Sequence, residues 1–370
     1  MILELHLIQN FAPSNLNRSD TGSPKDCIFG GVRRARISSQ CFKRAMRTYF
    51  RDKFEKPENL AERSTRLMDN IAKRLAEKGR DEEQGRKAVL AALETVGIKA
   101  SKKDPEKTAY LLFMGRDEIA SIADVCDENF DGLVSDKVSD DAKKAVKKAL
   151  LVLMNEGKAA DLGLFGRMLA DLPERNRDAA SQVAHAISTH KVGLEFDFFT
   201  AVDDLRPEDT AGSDHLGTVE FNSACFYRYA NVNVEKLREN LQGDEDLLKA
   251  TISAYIKAAV EALPTGKQNS FATHEKPSLV YAVVRDSGMM SLANAFEKPV
   301  YDAKGGVVEK SIENLVEHYG KVTGVYGDDA RSKVFITTSA ADASGLGDNA
   351  GSFNALLDRT MSAIFGGGEA

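Results

Sequence analysis

Seven Lys and Arg residues lie between Cys27 and Arg51, and no Asp or Glu interrupts them. They are Arg33, Arg34, Arg36, Lys43, Arg44, Arg47 and Arg51; Asp26 stands just outside the run. The 370-residue chain is acidic overall, with a formal net charge of -6, and without this segment 43 basic residues would face 56 acidic ones. A positive block on a negative protein suits a phosphate backbone, because bound Lys and Arg release condensed counterions. A solvated basic helix beside a basic loop is the other reading, and it needs no ligand.

The elements that must position these charges can be read in order. Gly30 and Gly31 permit positive φ or close backbone approach. Ser38 and Ser39 are good N-cap residues. Behind them Phe42, Ala45, Met46, Tyr49 and Phe50 repeat at helical spacing, which predicts an amphipathic helix over about 39–55. Gln40, Lys43, Arg44, Arg47 and Arg51 fall largely off that stripe. The helix N-terminus would add N–H donors and a positive dipole end.

A strand is expected at 2–8, then a polar connection over 9–38. The texture over 56–182 is helical and rich in Ala, Lys, Glu and Arg. Within it, Lys143, Lys144, Lys147 and Lys148 share one face of a helix expected at 140–155. An exposed helix face accounts for them without a function; a second nucleic-acid contact, to DNA, is the functional reading. Alternation returns at Val192, Leu194, Phe196 and Phe198, and again from Val219 to Tyr229. The polar, acidic stretch 201–217 between these runs reads as a projecting arm on an antiparallel pair. A helix at 244–263 is stopped by Pro264 and Gly266, and a strand follows at 278–285. Beyond 290 come helices near 291–297, 311–323 and 353–365, with a strand near 333–338.

Without insertion and arm, the order is βαββαβ, the ferredoxin-like or RRM-type order. The fold class expected is therefore α+β. Its RRM-like palm would use 1–55 and 183–340, with a large helical insertion at 56–182, a hairpin arm at 201–217 and a C-terminal helix and tail at 341–370. The aromatic consensus by which an RRM stacks bases is missing from the third strand.

Other chemistry finds less support. The four cysteines are far apart, with no CxxC and no zinc-ligand spacing. His185 and His190, at i and i+5, do not share a helix face as a metal pair would. No cofactor and no metal is expected. Asp203, Asp204, Glu208, Asp209 and Asp214 on the arm suit docking to a neighbour's basic patch better than Mg²⁺ binding. There is no basic n-region at the start and no apolar stretch of transmembrane length, so the reading is a soluble cytoplasmic protein without a membrane partner.

Four blocks carry a resemblance. They are Phe29-Gly-Gly with Arg-Ile-Ser-Ser-Gln and Lys-Arg-Ala-Met-Arg47; His185-Ala-Ile-Ser-Thr-His190 with Phe199-Thr-Ala-Val-Asp-Asp-Leu205; His215-Leu-Gly-Thr218 with Phe226-Tyr-Arg-Tyr-Ala-Asn231; and Ser291-Leu-Ala-Asn-Ala-Phe-Glu-Lys298. In this order they resemble the CasC family, the backbone subunit of the type I-E CRISPR Cascade complex. The resemblance implies a non-catalytic, hand-shaped subunit. About six copies would stack head-to-tail along a CRISPR guide RNA beside other Cascade subunits, for antiviral pairing with target DNA. The insertion would form the fingers and the arm the thumb.

The RNA contacts expected are Arg18, Lys25, Arg33, Arg34, Arg36, Ser38, Ser39, Gln40, Lys43, Arg44, Arg47, Lys267 and Gln268. The family implies that Met168, Thr200 and Leu216 sit beside a kink that displaces one base in six. Local texture alone makes Met168 a core methionine. The alternative is a metal-dependent ribonuclease of the related backbone-subunit type, with Asp20 or Asp26 in the loop before the basic helix. A third reading, an RRM-like binder without a guide complex, lacks the stacking aromatics.

Overall fold

The computed structural model describes residues 1–135, 138–169, 172–201, 215–301 and 306–366. Most of the expected arm, 202–214, lies outside the described residues, and with it Asp203, Asp204, Glu208, Asp209 and Asp214; Leu216 enters through its backbone alone. The chain is a mixed α+β protein that divides into two compact units. Residues 1–49, 182–232 and 252–370 make the first, and 50–181 with 233–251 the second.

The strands are β1 (Ile2–Ser14), β2 (Asp26–Phe29), β3 (Val32–Ile37), β4 (Ala61–Ser64), β5 (Leu112–Gly115), β6 (Ser181–Val183), β7 (Ala186–Ser188), β8 (Glu195–Ala201), β9 (His215–Asn233), β10 (Leu279–Arg285), β11 (Ala330–Thr337) and β12 (Asp348–Asn349). The helices used below are α1 (Ser39–Lys53), α2 (Leu67–Glu77), α3 (Glu82–Thr95), α4 (Arg116–Glu128), α5 (Phe130–Val134) and α6 (Asp140–Glu156). They continue with α7 (Ala160–Phe165), α8 (Val234–Asn240), α9 (Glu245–Glu261), α10 (Gln268–Phe271), α11 (Val307–Tyr326) and α12 (Phe353–Phe365).

The first unit is built on one large sheet of order β12-β11-β10-β1-β9-β7-β3-β2, with β8 also paired to β9. Its centre, β1, is buried on both faces. Leu3, Leu5 and Leu7 alternate with Glu4 and His6, and all five are almost fully buried. The two polar residues survive there because each has partners, as burial demands. Glu4 accepts from Tyr229, from Arg285 and from the Met290 N–H. The Tyr227 hydroxyl accepts from Leu292 N and so donates to His6 Nδ1, while burial lowers the His6 pKa to about 3.

The expected connection over 9–38 is more ordered than its polarity suggests. The first strand runs on to Ser14, and residues 26–37 form the β2–β3 hairpin. Its register places Phe29 opposite Val32, so Gly30 and Gly31 make a two-residue turn with φ of 60° and 77°. Positive φ at both positions is the turn that matches strand twist, and glycine adopts it without a Cβ penalty. The Val192-to-Phe198 alternation also departs from expectation. Val192 is buried, yet Phe196 and Phe198, on the strand itself, are about two-thirds exposed.

The second unit is helical around a small β4–β5 ribbon. Leu67, Ile71 and Leu75 of α2, Val89 and Leu93 of α3, Ile119 and Ile122 of α4, and Val146 and Leu150 of α6 form its core.

Candidate nucleic-acid interface

The three arginines of the β2–β3 hairpin are all engaged within the protein. Arg34 is fully buried, which corrects its expected place on the RNA surface. Its guanidinium donates to four main-chain carbonyls: Phe29 at 3.2 Å, Ser188 at 2.9 Å, Phe296 at 2.7 Å and Glu297 at 3.2 Å. The planar fork suits this many acceptors, and burial lowers its pKa. Gly30 belongs to the same clamp: a Cβ there would lie 1.7 Å from the Glu297 carbonyl oxygen. Arg33 is exposed but pairs with Asp26 at 3.1 Å. Arg36 donates to the Asp26 carbonyl at 3.1 Å and to His185 Nδ1 at 3.0 Å. An arginine can only donate, so His185 holds its proton on Nε2. Partial burial, Arg36 and Lys25 all lower the His185 pKa, keeping the ring neutral.

His190 is equally structural. Its Nε2 accepts from the Cys225 N–H, which leaves Nδ1–H to donate to the Lys191 carbonyl. Among the described residues no cluster of three His, Cys, Asp or Glu is arranged to hold a metal.

The helix that follows is different. Ser38, almost buried, caps it: its Oγ accepts from Cys41 N, and its own N–H donates to Asn17 Oδ1. Ser38 is therefore a cap rather than an exposed contact. Ser39 is half-buried and Gln40 exposed on the first turn. Phe42, Ala45 and Met46 face the interior, while Arg44 stands exposed and Lys43 half-buried. Burial alone lowers the Lys43 pKa, and an anion beside it would favour its charged form. Neither Lys43 nor Arg44 forms a salt bridge among the described residues. Arg47 is half-buried, and Arg51 is spent on Glu62 at 3.1 Å.

A cleft of about 830 Å³ opens beside this helix. One wall is the α1 face of Cys41, Arg44, Thr48 and Tyr49; the others are Leu16–Asp20 with Gly22, and Ala262–Gly266. The loop is held in shape. Arg18 bridges to Pro24, Ser19 N donates to Ser23 O, and Asn15 Nδ2 donates to the Gly22 and Glu220 carbonyls. A side chain at Gly266 would lie 2.4 Å from the Leu16 carbonyl oxygen, so the two loops meet only because that residue is glycine. Arg18 is exposed on the cleft wall, whereas Lys25 is half-buried and does not line the cleft. Lys267, in the left-handed region at φ 52°, begins the short α10. Gln268 does not offer its amide nitrogen outward; Nε2 donates to Pro264 O and Thr273 O.

Sequence reasoning missed the polar part of this cleft. Thr48, Tyr49, Ser19 and Thr265 all line it. Tyr49 falls on the apolar stripe, but burial, with the Glu261 carboxylate that its hydroxyl bonds, pushes its pKa up to about 12. The repeated hydroxyls Ser19, Thr21 and Ser23, bonded in series, were the available signal. Asp20, exposed, also lines the cleft, whereas Asp26 pairs with Arg33.

In the helical unit, Met168 is 82% exposed, which overturns the local reading of a core methionine. Thr200 is exposed on β8, and its partner in the β8–β9 register is Leu216. Lys143, Lys144, Lys147 and Lys148 are all exposed on α6, which Ser139 caps. None of the four is ion-paired among the described residues. No helix among those residues is long and apolar enough to cross a membrane.

Comparison with known proteins adds a whole-chain result. One solved structure that matches is a CRISPR RNA-guided surveillance complex in pre-nicking form; the matching chain is 32% identical with a TM-score of 0.85, covering 99% of this chain and 100% of that one. A second CRISPR RNA-guided surveillance complex matches at 27% identity and a TM-score of 0.75, covering 98% and 100%. No curated protein sequence matches. The family model of the CT1975-like proteins matches residues 3–360, from β1 to within α12, and the chain belongs to that family.

Proposed function

We propose that this chain is a guide-RNA-binding backbone subunit of a CRISPR surveillance complex, of the CasC, type I-E kind, and that it has no catalytic role of its own. One observation carries the reading. The Arg18 and Arg44 cations line an open cleft and form no salt bridge among the described residues, in a chain that matches a surveillance-complex subunit from end to end. Cations at fixed spacing on a helix and a braced loop hold a phosphate backbone without reading its sequence. The hydroxyls of Ser19 and Thr265, on the same cleft, can donate to that backbone. The order β10-β1-β9, with β8 also paired to β9, supports an RRM-like palm for the first unit. The helical unit would then serve as fingers. Copies stacked head-to-tail along the guide, about six of them, would kink it beside Met168, Thr200 and Leu216 and present it to target DNA, with the α6 lysines touching the DNA.

Purification of the complex from its host tests this. The proposal expects co-purified RNA of one guide length, protected from nuclease at regular intervals. RNA of mixed length, or none, would contradict it. The ribonuclease reading keeps one specific observation, Asp20 in the cleft wall. Mg²⁺-dependent cutting of complementary RNA that is lost in Asp20→Ala would establish that reading instead.

A further inference from the structure

Two neighbouring residues of the helical unit have opposite fates. Arg167 is 4% exposed and Met168 is 82% exposed. The Arg167 guanidinium donates from Nη1 to both carboxylate oxygens of Glu118 at 2.9 Å and from Nη2 to the Met154 carbonyl at 2.6 Å. Glu118, on the first turn of α4, also accepts from Gly115 N at 2.7 Å. The two side chains are each 1% exposed, and burial pushes the Glu118 pKa up against the pull of Arg167.

Two charges taken out of water pay a large desolvation cost, and an apolar pair of similar volume is often as stable or more so. The pair therefore fits a geometric role better than a stabilising one. What it fixes is the backbone next to Met168. Arg167 and Arg177 exchange main-chain hydrogen bonds at 2.9 and 2.8 Å. Leu169 N donates to Asn176 Oδ1 at 2.6 Å. Gly166, at φ 77°, leads in, and a Cβ there would lie 2.8 Å from Arg177 O and 2.9 Å from Ala179 N. Glycine, a buried charge fork and an Asn side chain thus hold residues 166, 167 and 169, and the one side chain turned to solvent is the methionine. A single exposed apolar group needs no partner by itself; what sets Met168 apart is that the backbone on both sides of it is tied down.

We infer that the buried Glu118–Arg167 pair is a positioning device that holds Met168 outward as a preset apolar contact for a nucleobase of the bound RNA. The ligand class rests on the proposed function. A thioether on a fixed backbone can press between bases without the ordering cost of a mobile loop.

The test compares E118L/R167M, which keeps volume and removes the charge fork, with M168A, each in the full chain. Amide hydrogen exchange of the free protein reads the positioning directly. In E118L/R167M the Arg167 and Leu169 amides should exchange at least tenfold faster, while amides in α4 and α6 keep their wild-type rates. Guide RNA in the assembled complex is then probed with dimethyl sulfate. Wild type should give periodic base reactivity, and both variants should lower its contrast by threefold or more, with no further loss when combined. Unchanged exchange at 167 and 169 would overturn the positioning. Should exchange rise but periodic contrast survive, while M168A abolishes it, the pair is only structural and the inference fails. If M168A itself leaves the contrast intact, the base-contact reading of Met168 fails and the inference falls with it. Should the double variant not fold, R167K, which keeps the charge but loses the fork, is put through the same two measurements and judged by the same outcomes.

Discussion

The β2–β3 hairpin and the α1 face carry the same kind of charge a few residues apart, and the protein uses them in opposite ways. In the hairpin each arginine is satisfied internally: Arg34 by four carbonyls, Arg33 by Asp26, and Arg36 by Asp26 O and His185. On α1 and the loop beside it, Arg44 and Arg18 face a cleft and Lys43 stands half-buried, and among the described residues none of the three forms a salt bridge. A dense basic run is thus two devices in series. The first fixes a turn against the Glu297 backbone; the second leaves cations waiting for an anion. Local charge does not separate them, whereas burial and partners do.

The sharpest way to break this comparison is through Arg34. Arg34→Ala would strand four acceptors and leave a cavity, with an expected loss of roughly 3 kcal/mol or more, readable as a shifted urea midpoint. Arg34→Lys should recover little of it, since an ammonium cannot span the same acceptors. A variant that folds normally but binds RNA poorly would return Arg34 to the surface set.

The interior should also carry the protein's acid sensitivity, and the cationic face should not. His6 is held near a pKa of about 3 against 6.5 in an unfolded chain. Its folded value is depressed, so its contribution is complete above pH 6.5 and is lost as pH falls from 6.5 toward 3. Between pH 7 and pH 5 that amounts to about 2 kcal/mol at about 1.4 kcal/mol per pH unit. Urea unfolding at the two pH values measures it, and in His6→Gln this part of the pH dependence should vanish.

The smallest effect is expected at α6. Changing Lys143, Lys144, Lys147 and Lys148 to Ala should move stability by no more than about 0.5 kcal/mol each, because all four are exposed. Guide-RNA assembly should be untouched, while binding of target DNA weakens most at low salt. Failure to assemble on the guide would place α6 in the RNA grip or in a subunit contact.

Much of this molecule was legible because local signals agreed with the fold. Ser38 followed by Phe42, Ala45 and Met46 gave α1, observed at Ser39–Lys53. The pattern ended by Pro264 gave α9, observed at Glu245–Glu261 with Asp244 capping it. The polar connection hid its order because the ties are long-range: Asn15 reaches Glu220, and Arg34 reaches Phe296. Phe196 and Phe198 misled for the opposite reason. Apolar alternation marks a strand, but it does not say that a second layer covers the face. Several residues inside the blocks that carried the family resemblance, such as Ser188, Tyr227 and Arg228, are buried and hydrogen-bonded. Their spacing reports the packing of the first unit more than its chemistry.

The central claim, that the α1 cleft rather than the hairpin holds RNA, is tested most directly by the salt dependence of guide-RNA binding in two double variants. Arg18→Ala with Arg44→Ala should lower affinity and flatten the slope of log K against log salt by roughly 1.4, at about 0.7 per phosphate contact on a single strand. Arg33→Ala with Arg36→Ala should leave that slope within error of wild type. A slope unchanged by the first pair and flattened by the second would contradict the account.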